Sequence, residues 1–305
     1  MDRRELLKGA AGAVALWASP QIVTAQQVLN ERRLSDRLAV IDKGGANVVA
    51  FFTGESMVLV DSGAPKSYVW VTATALPGRA DGPRLLTLFN THYHLDQTGD
   101  NELLAARGAK IIAHERTRQW MSSDYWIPGE ERYEKARPKA ARPTETFLTT
   151  GSLKVTGEQI DYGYLPLAHT SGDIYVFFKN SNVLAVGDVA SPLRDPALDY
   201  FTGAWIGGRV DAMDIILGLS NDQTKIVPAY GPVMTKAEFK AERDLMEEVR
   251  ARMWKQVREG DGPKDMLEAG VLKGLARTWK DPEKFLYDAA KGLWAHHNKL
   301  DPNVV

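Results

Sequence analysis

The chain has 305 residues, 44% of them apolar, ample for a buried core arranged as one large α/β domain or two small ones. Its 38 basic and 39 acidic residues are mixed throughout and leave a net charge of −1, so no electrostatic case exists for binding nucleic acid or an anionic membrane surface. It contains no cysteine, which excludes disulfides, thiolate metal ligands and a cysteine nucleophile.

Residues 1–25 read as a leader outside the fold. Arg3 and Arg4 precede Leu6, Leu7 and Lys8, and the apolar stretch GAAGAVALWA that follows is too short to span a bilayer. Val23, Thr24 and Ala25 form a small-residue cleavage site before Gln26. The pattern resembles a bacterial twin-arginine export signal. That implies contact with the twin-arginine translocation machinery, a periplasmic or secreted destination, and no stable membrane anchor after cleavage. A retained amphipathic N-terminal helix is the alternative. The remainder, 26–305, is expected to form a single domain with a helical C-terminal region.

Three β-branched, apolar segments at 38–42, 47–53 and 57–61 read as strands, separated by the turn signals Gly44-Gly45 and Gly54-Glu55-Ser56. A helical run from about Lys66, a strand at 85–90, a helix at 98–107 and a strand at 109–113 follow. The polar, proline-punctuated stretch 124–146, with Trp126 and Pro128, is either an insertion near a site mouth or a plain surface loop. Strands resume at 153–164, 174–179 and 183–186. Beyond Lys236 the chain reads as helical, with Phe239, Met246, Val249, Met253 and Val257 in one apolar stripe and Glu248 to Arg252 as an i,i+4 pair. No internal repeat or low-complexity tract is present.

The segment THYHLDQTGDN at 91–101 follows the fourth of these strands. His92, His94 and Asp96 alternate along it, so an extended or looped backbone projects them to one side. Imidazole nitrogen and carboxylate oxygen are ligands of zinc and other first-row metals. His169, in LPLAHTSGD, and Asp188, in VLAVGDVAS, each come after an apolar run, where loops carry functional groups to the edge of a sheet.

With VDSG at 60–63, these motifs occur in the order and at about the distances seen in metallo-β-lactamase-fold hydrolases, which the chain resembles over about 38–245. The resemblance implies an α/β fold, an αββα sandwich of two mixed β-sheets with helices on the outer faces and ligands on loops along one edge. It implies that His92, His94 and His169 hold a first metal, usually zinc, with Asp188 bridging or completing it. The family's second metal would use Asp96, Asp188 and two further histidines. Gln97 stands where one of those is expected, and Tyr230, in PAYG, where the other is. An amide oxygen and a phenol are poorer zinc donors than imidazole at neutral pH. One zinc per chain is therefore expected, with the second position weak or empty; a tyrosinate with Asp96 and Asp188 would instead suit iron.

The expected chemistry is that of a metal-dependent hydrolase. Three neutral imidazoles leave most of the ion's charge uncompensated, so a zinc-bound hydroxide forms near pH 7 and attacks a small ester-like bond: a thioester, lactone, phosphoester or β-lactam. The missing second-site histidines rank a non-β-lactam substrate first. Asp96 would orient the water or take its proton, while Tyr230 either donates to the developing oxyanion or packs as a core aromatic. Asp61 either orients a ligand histidine from behind or is a turn aspartate. Tyr200, Phe201 and Trp205 line a substrate pocket or belong to the core. His114 reads as structural, and His296 and His297 as solvated. The alternatives are a mononuclear iron oxygenase like the sulfur dioxygenases of this fold and a non-catalytic periplasmic binding protein with a degenerate site.

Overall fold

The computed structural model describes residues 32–42, 45–54, 56–67 and 84–296. The leader expected at 1–25, most of the run expected from Lys66, and His297 lie outside the described residues. One sheet contains β1 (Leu38–Ile41), β2 (Val48–Phe52), β3 (Ser56–Val60), β4 (Arg84–Phe89), β5 (Lys110–His114) and β8 (Glu145–Phe147), in the order β1-β2-β3-β4-β5-β8. Its first three strands pair antiparallel and the rest parallel. The second sheet has the order β13-β12-β11-β10-β9, from β9 (Thr150–Val155), β10 (Glu158–Tyr164), β11 (Ile174–Phe178), β12 (Val183–Gly187) and β13 (Lys225–Pro228). Between β5 and β8 a separate hairpin forms from β6 (Tyr125–Ile127) and β7 (Arg132–Glu134).

Side-chain alternation builds the layers. Val49, Phe51, Val58 and Val60 of the first sheet meet Ile174, Val176, Phe178 and Ala185 of the second in a shared core. The intervening residues Val48, Ala50, Met57 and Leu59 face the opposite way, toward Leu104 of the short helix α2 (Asn101–Ala105), which follows α1 (Leu95–Thr98). On the second sheet, Tyr175, Phe177, Leu184 and Val186 turn outward onto α4 (Ile206–Leu219), α5 (Lys236–Glu259) and α7 (Pro282–Ala295). Helix α3 (Glu115–Ser122) follows β5, and α6 (Pro263–Glu268) lies between α5 and α7. Both faces of the central strands are covered, so they read as continuous apolar runs. The architecture is the expected αββα sandwich.

Most expected strands form within a residue or two of their predicted bounds. Two segments differ. The run 153–164 is a hairpin, β9 to β10, folded at a two-residue turn where Thr156 and Gly157 both have positive φ (44° and 78°), the geometry that matches strand twist. The helix expected at 98–107 is shortened to α2, and the separate turn α1 precedes it. The Asp100 carboxylate accepts from the Lys66 N–H and the Ser67 hydroxyl, each at 2.9 Å, tying this turn to the loop after β3 instead of continuing one helix.

The C-terminal stripe forms as expected. Phe239, Met246, Val249, Met253 and Val257 are all buried on α5, and Arg252 pairs with Glu248 at 2.7 Å. A reciprocal Thr235–Glu238 capping box starts that helix, and Gly260 ends it. His296 departs from expectation. Its ring stacks on Trp205 with centroids 4.7 Å apart, because α7 packs against the start of α4. Among the described residues no helix is long and apolar enough to cross a membrane.

His114 is structural. The Arg116 N–H donates to its Nδ1, its Nε2 bonds the Leu148 carbonyl, and its ring stacks on Tyr164. Burial holds this imidazole below the usual histidine range. The folded protein therefore takes up that proton less readily than the unfolded chain, whose histidine titrates near pH ~6.5. This contribution to stability is present above that pH and is lost as pH falls below it. In urea unfolding at pH 7.5 and 5.5, His114→Gln is expected to lose less stability on acidification than the wild type; equal losses would refute this origin.

Candidate metal centre

The loops that follow β4, β10, β12 and β13 all reach the same edge of the sandwich. They carry His92 and His94, His169, Asp188, and Tyr230 respectively. The nitrogens of His92, His94 and His169 converge to within 4.8 Å of one another. The rings meet edge to face, with centroids 4.6 to 4.8 Å apart.

Each imidazole is oriented through its other nitrogen. The Thr91 N–H and hydroxyl both donate to the Asp61 carboxylate at 2.7 Å. The Thr91 oxygen lies 3.1 Å from His92 Nδ1 and, with its own proton committed, must accept there. That leaves the His92 Nε2 lone pair facing the centre, where it is buried without a partner. Asp61 thus acts on the histidine through Thr91. His169 Nδ1 donates to the Ala197 carbonyl at 2.9 Å, and Asp173 accepts from the backbone N–H of His169 and of Thr170. His94 presents Nδ1 inward, because its Nε2 lies 3.1 Å from the Asp199 carboxylate.

The electrostatics suit a cation. Burial, reinforced by neighbouring imidazoles, pushes His92 and His169 well below the usual histidine range, so both are neutral donors. Burial opposes charge on His94 as well, but the hydrogen bond and charge of Asp199 outweigh it and raise its pKa. His94 Nδ1 and His169 Nε2 are only 3.0 Å apart. Two lone pairs at that distance repel unless a proton or a metal lies between them. The donor set therefore fits a metal: three buried imidazoles, tautomers fixed from behind, one nitrogen orphaned.

Asp188 sits at the margin of this cluster, its Oδ2 3.7 Å from His92 Nε2 and 3.9 Å from His169 Nε2. Burial first, then Asp96, pushes its carboxyl up to about 7. Gly187 before it has φ of 57°, and a Cβ there would lie 2.8 Å from Thr91 Oγ1, so glycine lets the two loops meet. Asp96 does not join the histidines. Helix α1 starts at Leu95, which ends the alternation and carries Asp96 toward Tyr230, whose hydroxyl donates to its Oδ2 at 2.5 Å. Burial and then this bond raise the Tyr230 pKa, keeping the phenol protonated. The Gln97 amide donates to Asp188 Oδ2 at 3.5 Å, and its buried Oε1 has no partner. The Arg194 guanidinium lies over the Tyr230 ring, 3.0 Å from its centroid.

Tyr200 and Phe201, in the 3-10 turn Tyr200–Thr202, line a cavity of about 370 Å³ that opens beside His94 and His169. Its far wall is hairpin β6–β7, so the polar stretch 124–146 does lie at the site mouth. Trp205 is placed in the core instead, beneath α4 and α7, because its large ring fills the space over Gly207 and against Gly292. Sequence reasoning missed Asp199, Thr91 and Asp173. Asp199 lies 105 residues from His94, and no local pattern marks it.

Residues 41–228 match the family model of the metallo-beta-lactamase superfamily. The chain belongs to this superfamily. Membership makes it an enzyme of the metallo-hydrolase class, in a family that binds metal ions. Metallo-beta-lactamase IND-1 of Chryseobacterium indologenes is 23% identical over 185 residues, 61% of this chain and 71% of that protein. The alpha subunit of 2,4-dinitroanisole O-demethylase from Nocardioides sp. (strain JS1661) is 25% identical over 207 residues, covering 66% of this chain and only 53% of that protein. Among solved structures, a metallo-beta-lactamase from Pontibacter korlensis superposes with a TM-score of 0.55 at 18% identity, covering 70% of this chain and 96% of that one. DIM-1 metallo-beta-lactamase gives 0.54 at 19%, covering 71% and 95%. At these identities the structures speak to the fold.

The bond behind His94 has a measurable consequence in this metallo-hydrolase. Asp199→Asn would offer His94 an amide donor or a weaker acceptor, loosening the tautomer that points Nδ1 inward. Metal affinity is expected to fall about 10- to 100-fold, the usual cost of removing such a partner. Competition against a chromophoric chelator would read it, and unchanged affinity would show that Asp199 does not orient the ligand.

Proposed function

We propose that the protein is a hydrolase with one zinc ion per chain, held by His92, His94 and His169 with Asp188 completing the set, that cleaves a small ester-like bond. The observation that carries this reading is the convergence of three imidazoles, each hydrogen-bonded through its other nitrogen, on one point where His92 Nε2 is buried without a partner. When bound, the ion supplies Lewis acidity and a nucleophile from water at neutral pH.

The protein's own groups then handle orientation and protons. Tyr230 holds Asp96 through Oδ2, while Oδ1 has no hydrogen-bond partner among the described residues and is open to accept a proton from water. The phenol's single proton is committed to Asp96, so its role in the resting site is to position that carboxylate. Gln97, Tyr230 and the overlying Arg194 occupy the half-site where the family's second ion would need two histidines, which supports one ion. The same losses favour a thioester, lactone or phosphoester over a β-lactam.

Residues 1–25 are proposed to be a twin-arginine leader, with the mature domain beginning at Gln26 and working in the periplasm or outside the cell. The continuous core joining the second sheet to α4, α5 and α7 supports one domain. Mass analysis of the exported protein tests the cleavage point.

Elemental analysis of protein purified without added metal tests the centre. About one zinc per chain, with turnover on a panel of thioesters, lactones and phosphoesters, is the expected result. Two tightly bound zinc ions would overturn the single-ion reading, and iron with oxygen uptake would overturn hydrolysis.

A further inference from the structure

The cavity beside the histidines has a composition that narrows the substrate. It starts at the rings of His94 and His169, and neither Asp96, Asp188 nor Tyr230 lines it, so it leads away from the second half-site. Its walls are aromatic. Tyr125 and Phe201 lie nearly parallel, 6.2 Å between centroids at 24°, and Trp120 meets both edge-on from behind. Tyr93 stacks on Trp120 and turns its hydroxyl to Asp199, so the face it gives the cavity is ring carbon. Ile127 of the hairpin and Leu198 complete the apolar surface.

The charged groups of the rim are held by partners. Arg132 is paired with Glu130 at 2.7 Å and with Glu134. Arg137 also binds Glu134, at 2.5 Å, and Lys284 binds Asp288 at 2.6 Å. His94 faces Asp199. Arg132, Arg137 and Lys284 each have a carboxylate partner and Asp199 is already hydrogen-bonded, so a charged ligand would lose hydration there without meeting a free opposite charge among these side chains. A neutral ring would bury apolar area against offset and edge-on aromatic neighbours.

We propose that this cavity is the subsite for a neutral aryl group of the substrate, seated against the His94 and His169 rings and so within an atom or two of the bond that is cleaved. The inference rests on the hydrolase reading for what happens at that bond, and on the cavity alone for what binds. Its size, about 370 Å³, lies in the range of small-molecule sites.

The test uses the full metal-loaded protein and four probes: benzyl alcohol, its saturated counterpart cyclohexylmethanol, benzenesulfonate and benzyltrimethylammonium. Saturation-transfer NMR locates binding and titration gives the Kd values. Benzyl alcohol is expected to bind about three- to tenfold tighter than cyclohexylmethanol, the worth of good aromatic contacts, and tighter than either ion. Phe201→Ala should remove that preference. Ile127→Trp, which fills the cavity from the exposed hairpin, should abolish binding even if the alanine variant misfolds. Equal binding of all four probes, a preference for either ion, or indifference to Ile127→Trp would overturn the proposal. Hydrolysis is scored separately. Aryl binding without turnover on any panel member sinks the hydrolase reading and leaves the subsite standing, whereas turnover that ignores aryl groups does the reverse.

Discussion

His169→Ala is expected to abolish tight metal binding and to lower kcat/KM by about 10³-fold or more, a transition-state loss above roughly 4 kcal/mol. The effect exceeds that of any change behind the ligands, because one of three lone pairs disappears while the other two remain fixed by Thr91 and Asp199. The variant should still fold. Metal-free, the wild type holds His169 Nε2 only 3.0 Å from His94 Nδ1, and alanine relieves that crowding. A ligand that binds only the folded state stabilises it by about 2.7 kcal/mol at a hundred times its Kd. At roughly 2–4 °C per kcal/mol, zinc at that level should raise the wild-type Tm by about 5–11 °C and leave the variant unmoved. A zinc-dependent shift of the same size in His169→Ala would remove this residue from the ligand set.

The second large effect lies behind Asp188. Arg209 of α4 is fully buried, donates to the Asp188 carbonyl at 2.8 Å and the Ser191 hydroxyl at 2.9 Å, and stands 3.6 Å from Glu242 of α5. Glu242 in turn accepts from the Ser191 N–H at 2.7 Å, and Arg277 approaches it to 4.0 Å. Burial lowers the Arg209 pKa, yet a guanidinium remains charged at any working pH. Removing it leaves Glu242 buried with the distant Arg277 as its remaining counter-charge, a loss of about 3–5 kcal/mol. Arg209→Ala is therefore expected to lower Tm by roughly 6–20 °C and to slacken the loop that carries Asp188. The double variant Arg209→Met with Glu242→Leu should recover much of the stability, since the paired charges pay their own desolvation cost. Thermal unfolding decides it: if the single variant loses less than about 1 kcal/mol, the network does not hold the loop.

Much of the site was legible along the chain. The spacing of His92 and His94 on one segment after a strand announces a metal site without reference to anything distant, and strand periodicity brings His169 and Asp188 to loop positions at the sheet edge. What failed was local geometry: the alternation that should have grouped Asp96 with the histidines ends where α1 begins at Leu95. The sequence leaves Trp205 open between two readings. An aromatic beside glycines suits a pocket wall or a packed interior equally well, and α7 closing over it decided for the interior.

By itself the sequence determined the layered α/β scaffold, the covered strands, the amphipathic α5 and the three candidate imidazoles that converge at the site, because each of these depends on residue type and short-range period. Only the tertiary structure decided which nitrogen each histidine turns inward, that Tyr230 binds Asp96, that Asp199 and Arg209 brace the centre, and that an aromatic cavity adjoins it. The Arg209–Asp188, His94–Asp199 and Tyr230–Asp96 bonds join residues 21, 105 and 134 positions apart in the chain, where hydrogen-bond direction is set by the packing of sheets and helices and leaves no periodic trace.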